Sequence, residues 1–173
     1  VWLGAGLIGG VIVAGLAGAF FGLIHAILTV PLGLSQHVSG LGVTLFATSL
    51  SYFIYRTALP NVSSPPRIEP FRPIDIPIIS EIPFLGEIIG QQTAMTWLAL
   101  IMVFFVWFVL YKTPLGIAIQ AVGDNPNSVD AQGLSVYGLR IGSVVAGSAL
   151  MGIGGAFLTM SAFDAFFFGM VNG

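Results

Sequence analysis

Apolar residues dominate this chain in long runs, and polar residues fall between those runs or along single helical faces. A hydrocarbon core of about 30 Å is crossed by about 20 helical residues. Segments of that length and character lie at about 2–30, 35–56, 93–111 and 138–160. The pattern predicts an all-α, polytopic transmembrane helical bundle with about four spans, joined by a long connection at 57–92 and a polar insert at 112–137.

Each span has its own pattern. In the first, Gly15, Gly18, Gly22 and His25 share one face at 100° per residue, and Pro31 ends the run. Small residues let two backbones approach in lipid, where apolar side chains gain little by leaving it. In the second, His37, Thr44, Thr48, Ser51 and Tyr55 fall within about 60° of arc, against a side carrying Val38, Leu45, Phe46, Leu50, Phe53 and Ile54. Such a stripe faces protein or water rather than lipid. The third span is bulky and almost wholly apolar, with Trp97 at one end and Trp107 and Tyr111 at the other, which suits a lipid-facing helix between aromatic belts. In the last, Gly138, Gly142, Gly147, Gly152, Gly154 and Gly155 are expected to mark close packing, and Arg140 can reach the headgroups.

The connections differ as well. Seven of the ten prolines lie between Pro60 and Pro83, so 57–92 is expected to be an extended interfacial piece rather than a helix. The insert has helix punctuation: Asn125 at the N-cap position, Pro126 at the first helical position, and Gly133 just past the end. Asp124 lies beside the positive end of that helix dipole. About seven residues is too short for a helix stable on its own, so it needs its own bundle or a partner. Its letters alone also allow a plain surface loop with an Asn-Pro turn.

Composition narrows the class. Of 173 residues 56% are hydrophobic and 7% charged, with a mean hydropathy of +0.99. A soluble domain carries about a quarter charged residues. The net charge of −2 offers no basic field for nucleic acid, and without cysteine there is no disulfide or thiolate chemistry. No G-x-x-x-x-G-K-[ST] loop is present, so ATP hydrolysis is not expected on this chain; two lone histidines make no metal site, and no cofactor is expected. Charge does not orient the chain: Arg56, Arg67 and Arg72 stand on one side against Lys112 and Arg140 on the other. Both ends read as cut from something longer, with a Val rather than a Met at the start.

The string from Thr113 to Val136 resembles the cytoplasmic signature of ABC importer permeases of the branched-chain amino acid, ribose and nucleoside family. It does so through Thr113, Gly116, Ala121, Gly123, Asn125, Ala131 and Gly133; Val129, Asp130 and Leu134 depart mildly. The stretches Gln36–Leu45 and Ala146–Phe157 resemble span segments of that family, and Ile74–Gly86 a loop of its nucleoside and simple-sugar branch. The resemblance covers nearly the whole chain. It implies a permease subunit in the cell (inner) membrane, working with an ABC ATPase subunit, a second permease subunit and an extracytoplasmic substrate-binding protein. It also implies an external 57–92 loop and a cytoplasmic coupling segment.

On that reading Gly116, Gly123, Asp124, Asn125, Pro126, Ala131 and Gly133 form the ATPase-coupling unit, with Gly116 and Gly133 permitting turns and Ala131 a close approach. His37, Thr44, Thr48 and Ser51 are the candidate lining of the substrate pathway, since sugar hydroxyls need both donors and acceptors. The same stripe would also serve interhelical hydrogen bonding, and His25 is expected to be packed or hydrogen-bonded rather than part of a site. An ion-coupled secondary transporter is the alternative, weakened because every carboxylate lies in a loop or near a span end. A non-transporting membrane scaffold explains the glycine faces but neither the polar stripe nor the capped insert.

Overall fold

The computed structural model describes residues 6–58, 60 and 92–162. Among them the chain forms α1 (Gly6–Thr29), α2 (Gln36–Ala58), α3 (Ala94–Lys112), α4 (Pro114–Asp124), α5 (Pro126–Ala131) and α6 (Val136–Phe157), and α6 runs on into a π-helical turn at Leu158–Ala162. The expectations for 2–5, for most of 57–92 and for the exit segment beyond 162 lie outside the described residues. Four helices are long and apolar enough to cross a membrane: α1, α2, α3, and α6 with its π-helical extension. The fold is an all-α polytopic bundle.

The principal packing is α1 against α6, running antiparallel. Gly15 sits against Ile153, Gly18 against Ser148 and Gly152, and Gly22 against Ser148 and Val144. A Cβ at Gly18 would run into the carbonyl of Ser148, and one at Gly152 into the carbonyl of Ala14. These two helices therefore meet backbone to backbone, with dispersion contacts replacing the side-chain burial of a soluble core. The bulky residues of α1 (Ile8, Ile12, Leu16, Leu23 and Ile27) lie off this contact and are exposed.

On α6 the structure corrects one expectation. Of its glycines only Gly152 takes part in the close seam; a Cβ at Gly142, Gly147, Gly154 or Gly155 would meet nothing within 4 Å. Ser148 supplies the other small contact, since a Ser-x-x-x-Gly step spaces the two positions one helical turn apart, just like the Gly18-x-x-x-Gly22 step opposite.

The second helix reaches the remaining described structure chiefly through α1. The chain turns through Gly33 (φ +64°), with Leu34 N–H donating to Leu28 C=O at 3.1 Å. Beyond that turn, Ser39 faces His25 and the ring of Phe46 stands edge-on to Phe21 at 6.1 Å. The third helix packs mainly on α4, and its large side chains, Phe104 (71% exposed) among them, face outward. In water this surface would be an association liability; in hydrocarbon it is the solvent-facing side. Lys112 Nζ lies 5.5 Å from the Trp107 ring centroid, a cation over an aromatic face at the membrane-facing end of α3.

Candidate functional site

Between α3 and α6 the backbone turns three times, and each turn is fixed by one polar residue. Thr113 is in extended conformation and is both the C-cap of α3 and the N-cap of α4. Its Oγ1 donates to Val109 C=O at 2.6 Å and accepts from Gly116 N–H at 3.3 Å. Pro114 occupies the first turn of α4, where its missing N–H costs nothing. Gln120 Nε2 then donates to Leu110 C=O at 2.7 Å, tying α4 back to the end of α3.

Gly116 has a different role from the one expected. It lies inside α4, is buried, and has no unusual φ; a Cβ there would collide with the carbonyls of Val109 and Leu110. It permits the tight corner at Thr113 by close contact with the end of α3 rather than by an unusual backbone conformation.

Asn125 repeats the device. Its N–H donates to Ala121 C=O at 2.9 Å, closing α4, and its Oδ1 accepts from Ser128 N–H at 3.3 Å, opening α5. Ser128 Oγ donates back to Asn125 C=O at 2.8 Å, and Pro126 fills the first turn. The end of α5 wraps through Gly133 (φ +78°), whose N–H donates to Asp130 C=O at 2.9 Å, while Leu134 N–H donates to Val129 C=O at 3.3 Å. Such a left-handed wrap favours glycine. Ser135 caps α6 through Oγ, which accepts from Gly138 N–H at 3.1 Å.

A six-residue helix needs an anchor. Val129 is that anchor: it is 2% exposed, while Asp124, Asn125, Ala131 and Gly133 all face outward. Gly123 is exposed too, and nothing lies within 4 Å of where its Cβ would be. The packing of the described residues therefore gives no reason for a glycine at 123. Sequence reasoning noted Val129 only as a mild departure from the family pattern, and it placed no helix over 114–124. The Thr-Pro pair at 113–114 is the same cap-then-proline signal as Asn-Pro at 125–126 and would have revealed α4.

The residues of the α2 stripe do not touch α1. His37, Thr44, Thr48 and Ser51 are all exposed, and on an ideal helix their centre lies about 160° from the face carrying Ser39 and Phe46. Thr48 Oγ1 donates to Thr44 C=O at 2.8 Å, which leaves its lone pairs directed outward as an acceptor. The stripe runs along the side of α2 turned away from its helical neighbour.

At the end of the bundle where α1 turns into α2, a cleft of about 580 Å³ opens toward the insert. It is lined by His25, Thr29 and Gln36 from the hairpin and by Gly123, Arg140 and Ser143 from α4 and α6. The hairpin turn and the capped insert therefore lie at the same end.

A multi-pass helical membrane protein with a folded polar segment between two spans is the class that this geometry defines. The sequence matches the family described as the permease component of the branched-chain amino acid transport system over residues 2–173, and the chain belongs to that family. It is 35% identical over 140 residues to the guanosine ABC transporter permease protein NupQ of Bacillus subtilis, covering 80% of this chain and 44% of that protein. With the nucleoside ABC transporter permease protein NupC of Lactococcus lactis it shares 34% identity over 146 residues, 82% of this chain and 44% of the relative. A putative glucose ABC transporter permease protein of Haloferax volcanii, TsgC13, is 32% identical over 177 residues, 99% of this chain and 50% of the relative. The chain thus spans half or less of the length of these relatives. No solved structure matches it.

Proposed function

We propose that this chain is part of the permease subunit of an ATP-driven importer in the cell (inner) membrane, carrying a nucleoside or simple sugar. Nucleoside is the favoured cargo, because the guanosine and nucleoside permeases share the highest identities given above. The observation that carries the reading is the 113–135 segment: three caps hold a short helix whose apolar side is anchored by Val129 and whose polar side, including Asp124 and Ala131, is open. A segment so firmly held, with a face that the described residues leave exposed, fits a docking element for another protein.

In this reading α4 and α5 face the cytosol, and α5 seats on a separate ABC ATPase subunit that hydrolyses ATP. Gly123 leaves room at that contact, and Gly133 lets the chain leave it abruptly. A second permease subunit faces the polar side of α2, so that His37, Thr44, Thr48 and Ser51 line the path between them. Hydroxyl and imidazole groups can both donate to and accept from the hydroxyls of a sugar, and they carry no charge that would hold it too firmly. The 57–92 connection then meets an extracytoplasmic substrate-binding protein. ATP-driven closure of the ATPases shifts the balance between two arrangements of the bundle.

The test is Gly123→Arg in the full-length protein. An open position tolerates the side chain for folding, so the variant is expected to reach the membrane at wild-type level, lose the co-purifying ATPase and stop uptake of labelled nucleoside. Retained ATPase association with retained uptake would refute the reading. A maleimide reagent that cannot cross the membrane should label Asp130→Cys from the cytosolic side; labelling from outside would refute it equally.

A further inference from the structure

Within the described residues, α1 and α6 form one tightly joined pair, whereas α2, which carries the polar stripe, hangs on that pair mainly through α1. The polar contact between them is His25 Nδ1 with Ser39 Oγ, at 3.1 Å. Ser39 is 5% exposed and is the buried polar residue of α2. Gly40 beside it also faces the ring: a Cβ there would lie 3.9 Å from His25 Cε1. Thr29 Oγ1 donates to His25 C=O at 2.8 Å, which steadies the last turn of α1 that presents the imidazole. Below this point the helices are joined by the Pro31–Gly33 turn; above it, by apolar contacts such as Phe21 with Phe46.

The place of this contact gives it a role. It lies at the same end as the insert, and His25 also lines the cleft shared with Gly123 and Arg140. A displacement of α5 passes to α4 through Asn125, and from α4 to α6 by direct packing. The backbone seam then makes α1 follow α6. Apolar contacts in lipid resist sliding and rotation poorly, because hydrocarbon can replace either partner. A hydrogen bond between buried groups does resist, because breaking it leaves both partners unsatisfied in a low dielectric.

We propose that His25 is a positioning residue: its hydrogen bond to Ser39 is the contact that makes the polar face of α2 turn with the α1–α6 pair. The proposal deepens the permease reading above and rests on it for its transport readout, but not for its distance readout.

The experiment uses the full-length permease assembled with its ATPase and binding protein in lipid vesicles. His25→Ala and Ser39→Ala are expected to raise the ATP consumed per nucleoside imported by about tenfold, with the double variant no worse than either single one. His25→Asn keeps a hydrogen-bonding atom at the δ position and should restore most of the coupling, which a merely space-filling histidine would not allow. Spin labels at Ile12 and Phe53, both exposed and at the far end of the hairpin, supply the second readout. Their distance distribution should broaden in His25→Ala and narrow again in His25→Asn.

Wild-type coupling in His25→Ala, additive effects in the double variant, or an unchanged distance distribution would each overturn the proposal. A wild-type assembly that imports without ATP would instead overturn the permease reading, and the distances would still decide the role of His25.

Discussion

The α1–α6 seam and the α1–α2 hairpin are both pairs of membrane helices, yet they are held by opposite means. In the seam, Gly18 and Gly152 bring backbone against backbone, and Gly15 and Gly22 make room for the side chains of Ile153 and Ser148. In the hairpin, the described residues show a hydrogen bond and an edge-on ring pair in place of that continuous contact, and His37, Thr44, Thr48 and Ser51 on the opposite side of α2 are exposed. Close backbone contact gives a pair one stable arrangement. A sparse contact with a polar reverse side gives a helix freedom to change partners. The difference separates the part of the bundle that keeps its shape from the part that can move.

The sharpest way to break this comparison is to fill the seam. Gly18→Leu places a branched side chain where even a Cβ collides with backbone, so we expect a loss of about 3 kcal/mol or no folded protein at all. Denaturation in detergent measures it, and wild-type stability would show that the seam gives way more easily than its geometry implies. Next in size is the stripe. On the proposed pathway role, Thr44→Val, which removes an exposed hydroxyl while keeping the shape, should raise the KM for nucleoside about fivefold, the equivalent of one net hydrogen bond. An unchanged KM would assign the stripe to packing.

Asn125→Ala removes the cap of α5 and should cost about 1 kcal/mol. Hydrogen exchange of the Ser128 amide, which that side chain holds, reads the loss directly. Smallest of all is Phe104→Leu on α3, where lipid replaces lipid-like surface and the change should stay within about 0.5 kcal/mol. A large effect there would mean that α3 has a protein neighbour on that side.

Much of this was legible in the letters. The four spans follow from run length, and the Asn125–Pro126 start and Gly133 end of α5 follow from capping chemistry. The glycine face of α1 was readable because its small residues recur at helical spacing. On α6 the same reasoning went astray. Glycine is frequent there, and composition does not say which small residue meets a partner; Ser148 does and Gly147 does not. The His25–Ser39 pair was hidden for a related reason. Each residue lies on its own helix, and only the register of the hairpin across Pro31–Gly33 brings them together. Val129 looked like a departure from a small-residue pattern, whereas its size is what pins α5 to the bundle.

Thr113 leaves no spacer between α3 and α4, and Gln120 braces the corner from the other side. The corner therefore behaves as a welded bracket, and α4 as a lever. Eleven residues of helix make an arm of about 16 Å, so a push of roughly 3 Å at its tip corresponds to a tilt of about 10° at the bracket. A tilt of that size would be shared between α3, held at the corner, and α6, on which α4 also packs.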